Sequence, residues 1–382
     1  MKAAAVLDYR ELARRRLPRF LFEYIDGGSY AEVTLRRNVA DLEAVALRQR
    51  VLRDVSTLDL SAELFGSKVA MPIALAPIGI AGLNARRGEV QAARAAERAG
   101  IPFCLSTVSA CSLAEVVHGV TRPLWFQLYV LKDRALAQRM IEIAIRADVE
   151  ALCVTVDTPV GGVREKDVRN GFRSATRLTP GLALALLRKP GWCARVLRNG
   201  APEIGNLWGM PEFRGNALEQ AGKIAAYIDA SMTWADIGWI RKLWPGKLIL
   251  KGILNPLDAA EAVKAGVDAI VVSNHGGRQL DGAASTISML PPIVDAVGAK
   301  TDIFFDGGVR RGAQVVKALA LGAKGVLLGR AYAYGLAAAG EQGVATVIKL
   351  MQTEIDVTMA HMGVANLSEV YEKRDELIFR RT

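Results

Sequence analysis

The chain has 382 residues, 51% hydrophobic and 23% charged, with a formal charge of +10, a composition ordinary for a globular protein with a large core. No apolar run reaches the roughly 18 residues of a membrane span, and the start, Met1 to Leu7, runs straight into charged Asp8-Tyr9-Arg10-Glu11, unlike a signal peptide. Four cysteines without CxxC spacing read as reduced residues of a cytosolic protein. Three scattered histidines give no metal-ligand pair, and the cations are not interleaved with aromatics as a nucleic-acid partner would require.

Residues 1 to about 70 form a helical N-terminal segment. A helix is expected to start near Asp8, with Glu11 three residues on as capping-box partner, and to end before Gly27-Gly28. From about residue 71 to 345 one pattern recurs: a helical tail ending in small residues, often glycine, then a buried strand. Glu97 to Ser106, Lys264 to Ser273 and Ala320 to Gly329 carry it, and Ala147 to Thr155 is a looser copy without the glycine. Glycine stops a helix in the left-handed conformation, and the apolar run after it is buried on both faces. Eight strands are predicted, at 73–76, 103–105, 124–128, 152–156, 248–250, 269–272, 303–305 and 326–328. Alternation with helices makes this an α/β chain, a (β/α)8 TIM barrel. A doubly wound sheet would need a glycine-rich turn after its first strand, where Pro77-Ile78-Gly79-Ile80 stands instead. Asp157 to about Trp244 is far longer than a normal βα connection, so a long insertion follows strand four, at about 160–245. Trp234 and Trp239 near its end fit an amphipathic packing helix, and residues 346–382 a C-terminal helical segment.

In a barrel the residues just after each strand converge on one mouth. In order they are Pro77 and Gly79; Ser106; Gln127 and Tyr129; Thr155 and Asp157; Lys251; Ser273 and His275; Asp306, Gly307, Gly308 and Arg310; and Gly329 with Arg330. Every end is polar or glycine, which packing does not explain. The Ser273 to Gln279 run places a histidine, two glycines and Arg278 at the end of a buried strand. The glycines and arginines after strands seven and eight, with a helix expected near Gly312, make a phosphate site. Lys251, emerging from a buried strand, needs an electron-rich partner to keep its proton; a flavin ring would supply one, with Gln127, Thr155 and Ser106 bonding the ring's polar edge. His118 and His361, outside any motif, read as structural or exposed.

The runs Ser273-Asn-His-Gly-Gly-Arg-Gln-Leu-Asp281, Asp306-Gly-Gly-Val-Arg-Arg-Gly312 and Leu327-Leu-Gly-Arg-Ala331 resemble the FMN-dependent L-2-hydroxy acid dehydrogenases and oxidases. The likeness covers nearly the whole chain, including Tyr24 in Phe22 to Gly28 and Trp125 to Val130. Thr34 to Asn38, Val45 to Arg50 and Ala85 to Val90 bring it nearest to the bacterial L-lactate-oxidising branch. The resemblance implies FMN as cofactor and His275 as the base that takes a substrate proton, with Asp157 paired to it. It further implies Arg278 as clamp of the substrate carboxylate, Tyr24 and Arg164 assisting there, and Tyr129 bonding the substrate oxygen. Lys251 would stabilise the flavin, while Asp306 to Arg310, Gly329 and Arg330 would hold its ribityl chain and phosphate. The small residues Val108 and Gly161 would bound the substrate side chain. Glycine at position 79 goes with dehydrogenases and alanine with oxidases. A homo-oligomer, a tetramer, and a quinone or respiratory acceptor follow from the same likeness; mandelate, glycolate or a specialised acid, with oxygen as acceptor, is the alternative. An inert flavoprotein-like scaffold is opposed by the complete His275, Asp157, Arg278 and Lys251 set. Between Arg164 and Arg198 stand nine cations (Arg164, Lys166, Arg169, Arg173, Arg177, Arg188, Lys189, Arg195, Arg198) against Glu165 and Asp167. That stretch is either a solvated loop or the face toward an anionic membrane surface on the cytoplasmic side.

Overall fold

Eight parallel strands close into a ring: β1 (Ile73–Leu75), β2 (Cys104–Ser106), β3 (Trp125–Leu128), β4 (Ala151–Thr155), β5 (Lys247–Ile253), β6 (Ala269–Val272), β7 (Asp302–Phe305) and β8 (Gly325–Leu328). In this computed structural model, which describes residues 3–122, 124–172, 180–198, 200–207 and 210–379, β8 pairs with β1 and a parallel bridge from Leu75 to Phe103 completes the circle. The expected (β/α)8 barrel is the observed one, with all eight strands within a few residues of their predicted positions. Ala74, Cys104, Trp125, Cys153, Ile249, Val271, Phe304 and Leu327 belong to the cluster inside the ring. The alternate residues pack outward against the helices. A hairpin (Ala62–Leu64 with Ser67–Val69) stands against that inner cluster. Its Phe65 ring lies 5.5 Å from both Trp125 and Phe304.

The helix stops behave as expected. Gly100, Gly266 and Gly322 have φ of +67°, +76° and +105°. In the copy lacking glycine, Asp148 takes that role at φ +51°, a conformation that aspartate tolerates better than most residues.

The N-terminal segment differs from expectation. Helix α1 (Val6–Arg16) starts two residues earlier, because the Asp8 side chain accepts from the backbone N–H groups of Ala4 and Ala5 at 2.8 and 3.0 Å. Asp8 is thus the third helical residue rather than the cap, and Glu11 is spent on Arg14. Pro18 then breaks the run, and a separate α2 (Arg19–Asp26) leads to Gly27. Helix α3 (Val33–Ala44) follows. The insertion contains helices Glu165–Arg169, Pro180–Leu187, Pro190–Val196 and Ala217–Tyr227; Arg173, Arg177 and the Leu182 side chain lie outside the described residues. It gives way sooner than expected: Trp234–Leu243 already occupies the place of the crossover helix before β5, burying Ile237 and Ile240. Arg134 lies over the Trp239 ring, so the tryptophan packs the helix as expected. The last barrel helix, Arg330–Met362, breaks at Ala339–Gly340 and runs past residue 346 into the C-terminal segment.

Candidate active site

The strand ends surround a cavity of about 600 Å³. Lining it are Pro77, Gly79, Ser106, Gln127, Tyr129, Thr155, Lys251, His275, Arg278, Asp306, Gly307, Gly308, Arg310, Gly329 and Arg330, joined by Tyr24 from α2 and Arg164 from the insertion. Val108 and Gly161 face it as well. Two expected site residues stand one layer back, Asp157 behind His275 and Ser273 behind Lys251.

His275 Nδ1 lies 3.0 Å from Asp157 Oδ1. The histidine sits at φ +57° and is followed by Gly276 and Gly277 at +64° and +74°. Three left-handed residues in a row fold the chain back sharply and aim the imidazole into the cavity. A non-glycine residue held there costs of order 1–3 kcal/mol; the Ser273 hydroxyl, which accepts from the His275 N–H at 3.1 Å, helps hold it. Burial opposes ionisation of Asp157, but His275 and Lys251 outweigh it and hold the carboxyl below its ordinary range.

Lys251 is buried, and its Nζ reaches Asp306 Oδ2 at 2.8 Å and the Ser273 hydroxyl at 2.9 Å. Burial alone would strip its proton; Asp306 and Asp157 reverse that and raise its pKa. The electron-rich partner demanded by a buried lysine is therefore in the protein itself. For Tyr129, burial and then Asp157 push the phenol up, so it remains a donor.

Arg278 Nη1 donates to the Tyr24 and Gly27 carbonyls at 2.6 and 3.0 Å. Its Nε and Nη2, one edge of the fork, have no protein acceptor among the described residues. Such an edge matches a carboxylate. Arg164 Nε bonds Asp167 at 2.6 Å, and both guanidiniums stand over the Tyr24 ring, at 5.7 and 4.9 Å.

The phosphate end is built differently from expectation. The helix Gly312–Ala320 begins where predicted, but Gln314 accepts from the N–H groups of Arg310 and Arg311, and Glu354 from that of Gly312. That terminus is already satisfied. The helix that starts at Arg330 has no side-chain cap at Gly329, and a Cβ at Gly329 would meet nothing within 4 Å. Arg330 itself donates to the carbonyls of Ile25, Gly27 and Gly276 at 2.8–2.9 Å, tying α2 and the His275 loop to the barrel. Burial, then Arg278 and Arg310, push its pKa down to about 9: three guanidiniums crowd one another, and an anion would relieve them. Gly307 and Gly308 are required by packing, since a Cβ would strike Thr286 at 2.6 Å and the Asn38 carbonyl at 2.7 Å.

Sequence reasoning missed the residues that brace this mouth. Asn38 and Asn274 exchange two amide hydrogen bonds of 2.8 and 2.9 Å. Asn206 of the insertion donates to the Ser106 and Thr107 carbonyls, and Phe172 stacks on Tyr24 with ring centroids 4.5 Å apart. Asparagines of this kind carry no local pattern; only the fold brings them to their partners.

The sequence profile of the FMN-dependent dehydrogenases matches residues 13–377. The chain belongs to that family. Relatives of this FMN-dependent dehydrogenase include the L-lactate dehydrogenase of Azorhizobium caulinodans, 50% identical with 97% of each chain covered, and that of Pseudomonas aeruginosa strain PAO1, with the same identity and coverage. Among solved structures, the monotopic membrane protein (S)-mandelate dehydrogenase superposes with a TM-score of 0.94 at 36% identity over all of both chains. The family's cofactor suits the orphaned groups of this mouth: Gln127 Nε2 and Asp306 Oδ1 are buried without partners among the described residues, ready for a ring edge and a polyol.

Proposed function

We propose that this protein oxidises L-lactate to pyruvate, the activity of the relatives that share half its residues over nearly their full length. The observation that carries the reading is the His275–Asp157 pair facing the same cavity as the free edge of Arg278 and the charged Lys251. Gln127, Ser106 and Thr155 would hold the polar edge of the FMN ring, with Lys251 beside them; Asp306, Arg310 and Gly329 would hold the ribityl chain and phosphate. When bound, FMN supplies the acceptor for the electron pair and for one of the two protons that leave lactate, the other going to His275. Arg278, with Arg164 and Tyr24, fixes the carboxylate, so the α-carbon is presented in one orientation. Tyr129 donates to the substrate oxygen. His275 receives its one of the two protons that lactate gives up, and ionised Asp157 stabilises the imidazolium so formed.

In the test, purified protein is mixed with L-lactate without oxygen while the yellow absorbance is followed. Rapid bleaching supports the reading, whereas bleaching by (S)-mandelate alone would move it to the larger acid. His275→Gln should keep its FMN and lose about 10²–10⁴ of the bleaching rate; full activity removes His275 from the mechanism.

The reading extends to where the electrons go. No helix among the described residues is long and apolar enough to cross a membrane. Yet helix Pro180–Leu187 leaves Leu184 49% and Leu187 76% exposed, and Arg188, Lys189, Arg195 and Arg198 follow. This face suits an anionic lipid surface, each cation near it contributing about 1 kcal/mol, and a quinone there as acceptor. Co-sedimentation with phosphatidylserine vesicles, reversed by high salt, is the expected result; protein left in the supernatant at low salt refutes it.

A further inference from the structure

Glu89 does not line the cavity, yet it is a glutamate at 1% exposure. It stands in the first turn of helix Gly88–Arg98, and its Oε1 accepts from two backbone N–H groups, Gly82 at 2.9 Å and Ala110 at 2.8 Å. Gly82 belongs to the loop after β1 and Ala110 to the loop after β2, so one oxygen joins two strand ends. An apolar side chain would fill the same place but leave both N–H groups without this acceptor. The loops meet again nearer the cavity, where the Ile80 N–H donates to the Val108 carbonyl at 2.6 Å. Ile80 is buried and lies at φ +49°, a left-handed conformation that a β-branched side chain resists. Released from these bonds, it would return to an ordinary φ and carry its neighbour Gly79 with it. Gly79 and Val108 both face the cavity, and a Cβ on Gly79 would lie 3.6 Å from that of Val108. The gap between them therefore admits a single methyl group.

We infer that Glu89 is a positioning residue that fixes the spacing of the first two strand-end loops, and through it the narrow Gly79–Val108 wall that restricts the acid to a small side chain. Glu89 acts through the backbone of both loops. The inference rests on the reading that Val108 bounds the substrate side chain.

The quantity to measure is the ratio of kcat/KM for L-2-hydroxyhexanoate to that for L-lactate, with amide hydrogen exchange over residues 79–83 and 106–111 of the same holoenzyme. Burial pushes the Glu89 carboxyl up, toward its neutral form, and Glu89→Gln has the same reach and an acceptor oxygen. That variant should keep the parent's ratio and its exchange protection. Glu89→Asp is one methylene too short to serve both N–H groups, so exchange in the two loops should quicken and the ratio rise about tenfold. Gly82→Ala leaves Glu89 in place but would bring a Cβ to 2.5 Å from that of Ala110, prising the loops apart by another route with the same expected rise. The inference is overturned if Glu89→Asp only melts earlier at an unchanged ratio, or if the glutamine variant shifts as far as the aspartate one. Should Glu89→Asp not fold, Gly82→Ala decides, and an unchanged ratio there overturns it. Val108→Ala tests the underlying reading: an unchanged ratio dismisses Val108 as the boundary, whereas a raised one leaves Glu89 alone on trial.

Discussion

A single ion pair shows how the site's electrostatics double as stability. Lys251 and Asp306 are both nearly buried and 2.8 Å apart, and removing one partner strands the other. Lys251→Met should therefore cost about 3–5 kcal/mol of unfolding free energy and most of the bound FMN. Lys251→Met with Asp306→Asn should recover part of that loss, a coupling that a double-mutant cycle by urea unfolding would measure. The pH dependence follows from the directions of the shifts. Lys251 is raised above its ordinary 10.5, so its contribution is complete below about pH 10.5 and fades as the pH climbs through the higher folded value. Asp157 is held below its ordinary 3.8, so its contribution is present above about pH 3.8 and is lost as the pH falls through the lower folded value. Melting temperatures across acid and alkaline buffers should show both edges, with the alkaline one missing in the Lys251→Met chain.

At the scale of elements, the loop after β6 is held in place from outside the barrel. Helix α3 delivers Asn38, whose amide bonds Asn274 and whose carbonyl oxygen Oδ1 also accepts from the Thr286 N–H at 3.2 Å. Asn38→Ala should leave these buried groups unpaired, at about 1–3 kcal/mol, and lower kcat because the neighbouring His275 loses its brace. Calorimetry and steady-state rates on the same preparation check both halves. The strands were readable from sequence because a barrel strand is apolar on both faces and follows a helix that stops at a small residue, often glycine. For the same reason every strand-end residue expected at the mouth stands at or directly behind it. The start of α1 was not readable, since Asp8 caps equally well as first or third residue, and only Ala4 and Ala5 decide which. Nor was the prior capping of the Gly312 helix, because Glu354 lies 42 residues on in the C-terminal helical segment, and nothing around Gly312 announces that contact.

For the molecule as a whole, the barrel supplies the chemistry and the appended segments complete the pocket. Tyr24 arrives from the N-terminal segment and Arg164 and Phe172 from the insertion, and no spacing rule relates them to strand ends. Their placement in the site came from family likeness for the first two and was missed for Phe172. Arg330 is the latch for the N-terminal part, through the Ile25 and Gly27 carbonyls. Arg330→Met should raise KM for L-lactate and increase protease cleavage around residues 27–32, while the far-UV spectrum of the barrel is preserved; limited proteolysis with mass spectrometry would locate the cut.

That latch spans 305 residues of chain. On a ribosome, the Tyr24 strip is made first and waits while all eight barrel strands are produced before its partner Arg330 emerges. The pocket thus cannot be finished until synthesis is nearly over, because the contact that ties its N-terminal wall to the barrel is among the last to be made.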